Sequence, residues 1–297
     1  MLEVPQRFDE HGFESFAQAY ARAAEASKVI VDAHACEWIS PLGFVALLAA
    51  GQALRDRLGA PPILTVPSDR DVTHFWARMG FFSQARELFE VHGTVPRVRG
   101  GESKVLLEVT PVRVAEDVHD VVHRIQERSA EILQHELGLD ARATMGFGMA
   151  LSEACQNIVE HAGTGGWVAV HTYAYKKRLG RRVAVIAVAD AGVGFRHTLE
   201  TSQARQYGER WGDLAALEAA LLRNVSRFRD PGRGQGLAGI RRYVQRWNGK
   251  ISIRSGTARI AIVPDWDEDQ TNVEQLAPFP GAQVLMIIPA AEALDQR

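Results

Sequence analysis

The apolar residues of this chain change period along its length, and the changes mark its elements. Phe13 to Ala26 is alanine-rich and reads as a helix. Lys28 to Ala33 carries the β-branched run Val29-Ile30-Val31 and reads as a strand. Ser40-Pro41-Leu42-Gly43 reads as a turn into a helix, with Ser40 as N-cap and Pro41 at the first helical position, where a missing N–H is no loss. That helix runs to about Leu58 and stops at Gly59. Pro62 to Val66 predicts a second strand, and Asp69 to Met79 a helix closed by Gly80. Such alternation implies a small α/β layer with parallel pairing.

Val91 to Ser103, with Gly93, Pro96, Gly100 and Gly101, has little periodicity and marks a boundary, giving domains at 1–98 and 104–292. Beyond it the pattern predicts a strand from Lys104 to Val109 and a long helix from Val114 to Leu137, ending at Gly138. Strands follow at Trp167 to Tyr175 and Val183 to Ala189, around a turn at Gly180. Arg196 to Asp230 is polar at first, then forms an amphipathic helix from Asp213 to Arg223. Ala238 to Trp247 is helical, and Lys250 to Ser255, Ala258 to Val263 and Gln283 to Ile288 are strands. The fold class is α/β (α+β), the second half being a mixed, mostly antiparallel sheet with one face under helices and alternate positions buried. The acidic stretch from Asp265 to Asn272 is expected to be a solvated hairpin connection.

The chemistry concentrates around Leu151 to Ala162. Phe147, Ala150, Leu151, Ala154, Cys155, Ile158 and Ala162 recur at three- and four-residue steps and make an apolar helix face. Glu153, Asn157 and His161 are spaced i, i+4, i+8 along another edge. Glu can take a proton, Asn can offer a metal an uncharged oxygen, and His can donate to an anion. Alone, these three also describe an ordinary solvated face. Two glycine clusters downstream alter that balance. A β-branched run ends in Asp190-Ala191-Gly192-Val193-Gly194, and Gly232-Arg233-Gly234-Gln235-Gly236-Leu237 opens a helix. Glycines ahead of a helix let backbone N–H groups approach phosphate oxygens.

In this order the motifs resemble the GHKL family of ATP-binding domains, the Bergerat fold, across roughly the C-terminal two-thirds of the chain. Glu153 to Asn157 with His161-Ala162 is similar to the family's N box, Asp190 to Gly194 to its first glycine box, and Gly232 to Leu237 to its second. The resemblance implies ATP and Mg²⁺ as cofactors. It makes Asp190 the acceptor of the adenine amino group, with Gly192 and Gly194 passing close to the base. It makes Asn157 the Mg²⁺ ligand and puts His161, Gly232, Gly234, Gly236 and Leu237 in the nucleotide-binding set. Glu153 becomes the residue that orients and deprotonates the nucleophile. Arg196 to Asp230 becomes a lid, and of Arg223, Arg227, Arg229 and Arg233 the last is best placed for the γ-phosphate. The family often has Gly-Thr leading its last strand; here Gly281-Ala282 lacks the hydroxyl.

The first segment resembles a STAS domain, on the strand with Asp32, the turn from Ile39 to Gly43, the following helix and Arg78-Met79-Gly80-Phe81. Pro41 occupies the position of that family's phospho-accepting serine, so a docking or dimerising module is expected rather than a phosphorylated switch. His135-Glu136-Leu137 is superficially similar to a histidine-kinase phospho-acceptor, but it closes the helix just ahead of the N box and reads as a surface site. The compact helix–N-box layout resembles that of the anti-sigma-factor serine kinases.

Composition and charge narrow the classes. With 46% hydrophobic and 24% charged residues the chain is globular, and its net charge of −2 offers no basic nucleic-acid surface. Cys36 and Cys155 lie in apolar patterns and read as buried thiols of a reducing compartment. The N-terminus lacks an apolar leader, and Phe44 to Ala50 is too short to span a bilayer, so a cytoplasmic protein without membrane contact is expected. Three functions stay open: a kinase phosphorylating Ser or Thr on a regulatory protein partner, of the STAS or anti-sigma type; an ATP-hydrolysing switch, with a homodimer as one form of it; and a nucleotide-gated binding module without turnover.

Overall fold

The computed structural model describes residues 1–97, 107–175, 179–223 and 236–291. The first half comprises Leu2–Glu3 (β1), Arg7–Phe8 (β2), Glu10–Ala23 (α1), Ile30–Asp32 (β3), Trp38–Ile39 (β4), Pro41–Leu58 (α2), Ile63–Thr65 (β5), Arg70–Arg78 (α3), Phe81–Leu88 (α4) and Glu90–His92 (β6). Strands pair parallel in the order β1-β3-β5-β6, and β2 pairs parallel with β4. Parallel neighbours need crossovers, and the helices supply them. Ser40 Oγ accepts the Gly43 N–H at 3.3 Å as the N-cap of α2, and Gly59 closes that helix in the left-handed conformation, φ 66°. Helix α1 begins three residues earlier than its apolar pattern, because Asp9 accepts the N–H groups of His11 and Gly12. Helix α4 and strand β6 go beyond the sequence reading. Gly80, read as the end of one helix, also starts the next, whose Phe81 and Phe82 are buried.

The second half comprises Leu107–Val112 (β7), Ala115–Arg128 (α5) continued by a π-helical stretch Ser129–Glu136, Ala141–Asn157 (α6) continued by a π-helical turn Ile158–Ala162, Gly166–Tyr175 (β8), Arg181–Asp190 (β9), Gly194–Tyr207 (α7), Asp213–Leu221 (α8), Gly236–Arg246 (α9), Lys250–Gly256 (β10), Ala258–Ile262 (β11), Asn272–Val273 (β12) and Phe279–Pro289 (β13). Its sheet runs β12-β11-β10-β13-β9-β8-β7, and every pair in it is antiparallel. Helices α5, α6 and α9 cover the front face, where Ala184, Ile186 and Val188 of β9 share a core with Val284 and Met286 of β13.

The back face is covered too, which corrects the expectation of alternate burial. Helix α2 lies against β8, β9 and β13. All seven residues from Val183 to Ala189 are therefore buried, four of them in a core shared with the N-terminal half. Alanines on both sides, Ala46, Ala49 and Ala50 of α2 and Ala169, Ala187 and Ala189 of the sheet, belong to that core. Small side chains let a helix approach a sheet closely. Trp76, Phe81, Val31 and Leu64 close the other side, so α2 is apolar nearly all round. Of the expected boundary stretch, Val91 to Ser103, residues 98–103 lie outside the described residues, while Val91 and His92 belong to β6.

The acidic stretch is a second correction. Asp267 is nearly inaccessible and pairs with the fully buried Lys250 at 3.1 Å, which also reaches Asp269 at 2.9 Å. Arg259 holds Asp269 as well. These carboxylates neutralise cations on the sheet's back face instead of solvating a loop. Cys36 and Cys155 are buried thiols, both pushed up to about 12 by burial. His135 is exposed, as read. Among the described residues, no helix is long and apolar enough to cross a membrane.

Candidate functional site

The site is built on α6. Asp140 caps this helix by accepting the Ala143 N–H at 2.6 Å. Its apolar face, Phe147, Ala150, Leu151, Ala154 and Cys155, packs into the front core. Gly146 lets α9 come close: a Cβ there would lie 2.6 Å from the Tyr243 ring, whose hydroxyl donates to Ala143 O at 3.0 Å.

Where α6 ends, a cleft of about 450 Å³ opens between it, the ends of β9 and β13, the start of α7 and the start of α9. Ala154, Ile158, Ala162, Val188 and Val284 give it apolar walls, and Asn157, Asp190, Gly194 and Leu237 also line it. Four of the residues singled out from sequence thus meet in one cavity. Val188 and Val284 are register partners on adjacent strands, so strand alternation would have identified them. Phe195 and Thr198 were missed because α7 runs from Gly194, in the glycine box, into the stretch from Arg196 that read as a polar lid.

Asp190 is the charged group among the described residues lining this cleft. It ends β9, is 8% exposed, and accepts N–H groups from Gly192 (2.8 Å) and Ala282. Burial pushes its carboxyl up to about 6, against the opposing pull of those two hydrogen bonds. Ala282, where a hydroxyl was expected to be lost, therefore contributes through its backbone. The neighbouring Gly281 sits at φ 66°, and a Cβ there would lie 2.1 Å from Asp190 O. Gly192 is needed for a different close approach: its Cβ would fall 2.1 Å from Ala162 O, at the end of the N-box helix. Gly194 has φ 74°, and the N–H that follows it, on Phe195, donates to Ser255 Oγ at 3.1 Å. Ser255 in turn donates to Gly281 O at 3.0 Å, tying α7 to both walls of the cleft.

Asn157 and Glu153 stand one helical turn apart. The Asn157 side-chain amide donates to Glu153 O at 2.9 Å, which turns its oxygen away from the helix. Glu153 is half-buried, and its carboxyl is held above the ordinary range by burial and then by the Glu160 charge. It does not line the cleft itself. The row does not continue to His161 at α-helical spacing, because Ile158 to Ala162 winds as a π-turn, a feature common at functional sites. The His161 side chain lies outside the described residues, as do Gly232, Arg233 and Gly234, Arg227 and Arg229; Gly236 opens α9. Arg223 is engaged elsewhere: its guanidinium lies over the Tyr207 ring and donates to the Tyr207 hydroxyl at 2.8 Å.

The cleft suits a flat, apolar heterocycle bearing an amino group, with Asp190 as its acceptor. Among the described residues no three His, Cys, Asp or Glu side chains form a metal cluster. A magnesium ion, which prefers oxygen ligands and keeps waters, would fit the single Asn157 oxygen if phosphates supplied the rest. No curated protein matches this sequence. Residues 144–273, which run from inside α6 through β9 to the end of β12, match the family described as histidine kinase-, DNA gyrase B- and HSP90-like ATPase, and this segment is accordingly a GHKL-type ATP-binding domain.

Proposed function

We propose that the chain binds Mg–ATP in this cleft and transfers the γ-phosphoryl group to a Ser or Thr hydroxyl of a protein partner. The observation that carries the reading is the buried Asp190 carboxylate at the end of an apolar cleft whose next wall is the helix bearing Asn157 and Glu153. Asp190 takes the adenine amino hydrogen and fixes the base. Asn157 would hold Mg²⁺, which neutralises phosphate charge when bound. Glu153 orients the incoming hydroxyl and accepts its proton, a task for which a carboxyl held above its ordinary range is suited. The glycine turn from Gly232 to Gly236, with Arg233, is read as the phosphate cradle. Phosphoryl transfer depends mainly on positioning and charge neutralisation, which these groups supply.

The partner is read as a regulatory protein, not a nucleic acid or a membrane, and the N-terminal half as a STAS-like docking module of an anti-sigma-type kinase. Its four parallel strands and the Ser40-capped α2 support that reading. Ser40 is 4% exposed and its oxygen is committed to Gly43, so it is not an accessible phosphate acceptor. An ATP-driven switch, including one that dimerises, is the second reading. The core shared by α2 and the sheet favours it, since closure of α7 would be felt across that sheet.

The test is incubation with γ-labelled ATP and Mg²⁺, alone and with cell lysate, beside Glu153→Ala. Label on a protein that vanishes with the variant is the expected result. Free phosphate without labelled protein would replace the kinase by the switch. Bound ATP with neither product would overturn both and leave a binding module.

A further inference from the structure

The sheet carries a second cavity, on the face opposite the nucleotide cleft. Strand β10 alternates strictly: Ile251 and Ile253 enter the front core, while Lys250, Ser252 and Arg254 face the back, all of them buried. Gln283 of β13, register partner of Arg254, is buried there as well at 2% exposed. Polar side chains inside a sheet covered on both faces are expensive unless every atom is matched. Here Ser252, Arg254 and Gln283 border a half-open pocket roofed by α1 and Asp269 of the acidic stretch.

The hydrogen bonding of the lining defines what would fill it. Arg254 spends its donors on Glu14 (3.0 and 3.1 Å), Gly256 O and Ala277 O. Arg259 spends two of its donors on Asp269 at 2.6 and 2.8 Å. The guanidiniums are thus already paired with carboxylates and are poorly placed to take an anion. Among the described lining residues, a buried acceptor is left without a partner: Gln283 donates its amide N–H to Pro280 O at 2.7 Å, and its Oε1 accepts nothing. The lining carboxylates have cations beside them: Glu14 pairs with Arg254, and Asp269 with both Arg259 and Lys250, while His11 lies 3.7 Å from Glu10. Phe13, Leu42 and Leu285 supply apolar wall.

We propose that this cavity is a binding site for a small amphipathic amine, whose ammonium group donates to Gln283 Oε1 and whose apolar body lies against Phe13, Leu42 and Leu285. The site is separate from the nucleotide cleft and does not depend on the reaction assigned to it.

Titration calorimetry with 2-phenylethylamine, 2-phenylethanol and phenylacetate, matched in size and differing in head group, tests it on the full chain. The amine is expected to bind, the alcohol more weakly and the acid not at all, and saturating Mg–ATP should leave the amine affinity unchanged. Gln283→Leu should weaken the amine about tenfold or more by removing a hydrogen bond to a charged donor. Should that variant fail to fold, Leu285→Phe, which fills the cavity from the sheet, should abolish binding. No heat with the amine would mean that the cavity holds water only. Equal affinity for all three probes, competition by Mg–ATP, or unchanged binding in the foldable variant would each overturn the proposal.

Discussion

Arg254 and Glu14 stand 240 residues apart in sequence and meet through two hydrogen bonds, Nε to Oε1 at 3.0 Å and Nη2 to Oε2 at 3.1 Å. The pair joins helix α1 to the back of the sheet. The guanidinium is nearly buried and lies over the rings of Phe13 and Phe279. A planar fork can meet a carboxylate and ring faces at once, which a lysine could not. Glu14→Ala strands that buried charge and should lower stability by about 1–3 kcal/mol, read as a lower urea midpoint at unchanged slope. Adding Arg254→Met should recover part of the loss, because the unpaired charge is then gone. An unchanged midpoint for Glu14→Ala would mean that the pair does not fasten the two halves.

Gly192 offers a sharper test of the cleft. A methyl group at this position would meet Ala162 O at 2.1 Å, so the turn after β9 must move away from the end of the N-box helix. Gly192→Ala should lower stability by about 1–3 kcal/mol through overpacking and displace the N–H that holds Asp190. Nucleotide affinity should fall more than stability does. Gly148→Ala, on the same N-box helix with open space around its Cβ, is the control and should leave affinity unchanged.

How much of this was readable in the sequence depends on the range of the forces involved. Local signals carried well: Ser40 and Pro41 start α2, Gly59 stops it, and the run from Val183 to Ala189 is a strand ending in Asp190. The cleft was legible as a residue set in Asn157, Asp190, Gly194 and Leu237, because the glycine turns and the helix period fix each locally. The rest came from long-range packing. Burial of β9 on both faces required α2, which lies more than a hundred residues upstream. The acidic stretch looked solvated because the cations it neutralises, Lys250 and Arg259, sit on strands whose pairing a local reading does not supply. The π-turn at Ile158 to Ala162 has no compositional mark, so the even spacing of Glu153, Asn157 and His161 extended too far.

The cluster of Lys250, Arg259 and Asp269 predicts a feature of acid unfolding. Hydrogen bonds from Arg259 and Lys250, with their charges, outweigh burial and hold the Asp269 carboxyl down at about 2. The unfolded chain titrates this group near the ordinary value, about 3.9. Its stabilisation is therefore complete above about pH 4 and is lost as pH falls from there toward about 2. Asp269→Asn should lower stability at neutral pH, and the gap to the native chain should close across that window in denaturant titrations run at successive pH values. A gap that stays constant down to about pH 2 would show that the ion pairs contribute nothing linked to this proton.

Asp190 runs the opposite way. Burial holds its carboxyl up at about 6, above the unfolded value, so the folded chain binds this proton first as pH falls. The ionised form is then a burden on the empty cleft: Asp190→Asn should be more stable than the native chain above about pH 6, with the advantage fading toward about pH 4. Ligand binding reverses the preference, because an adenine amino group donates best to an ionised, acceptor-only carboxylate. Mg–ATP affinity of the native chain, measured by calorimetry from about pH 5 to 8, should weaken below about pH 6 relative to Asp190→Asn. Taking the ratio of the two chains cancels titration of the nucleotide's own phosphates. A ratio flat across this range would mean that the base is not read by the Asp190 carboxylate, and the nucleotide would have to be held by other groups of the cleft.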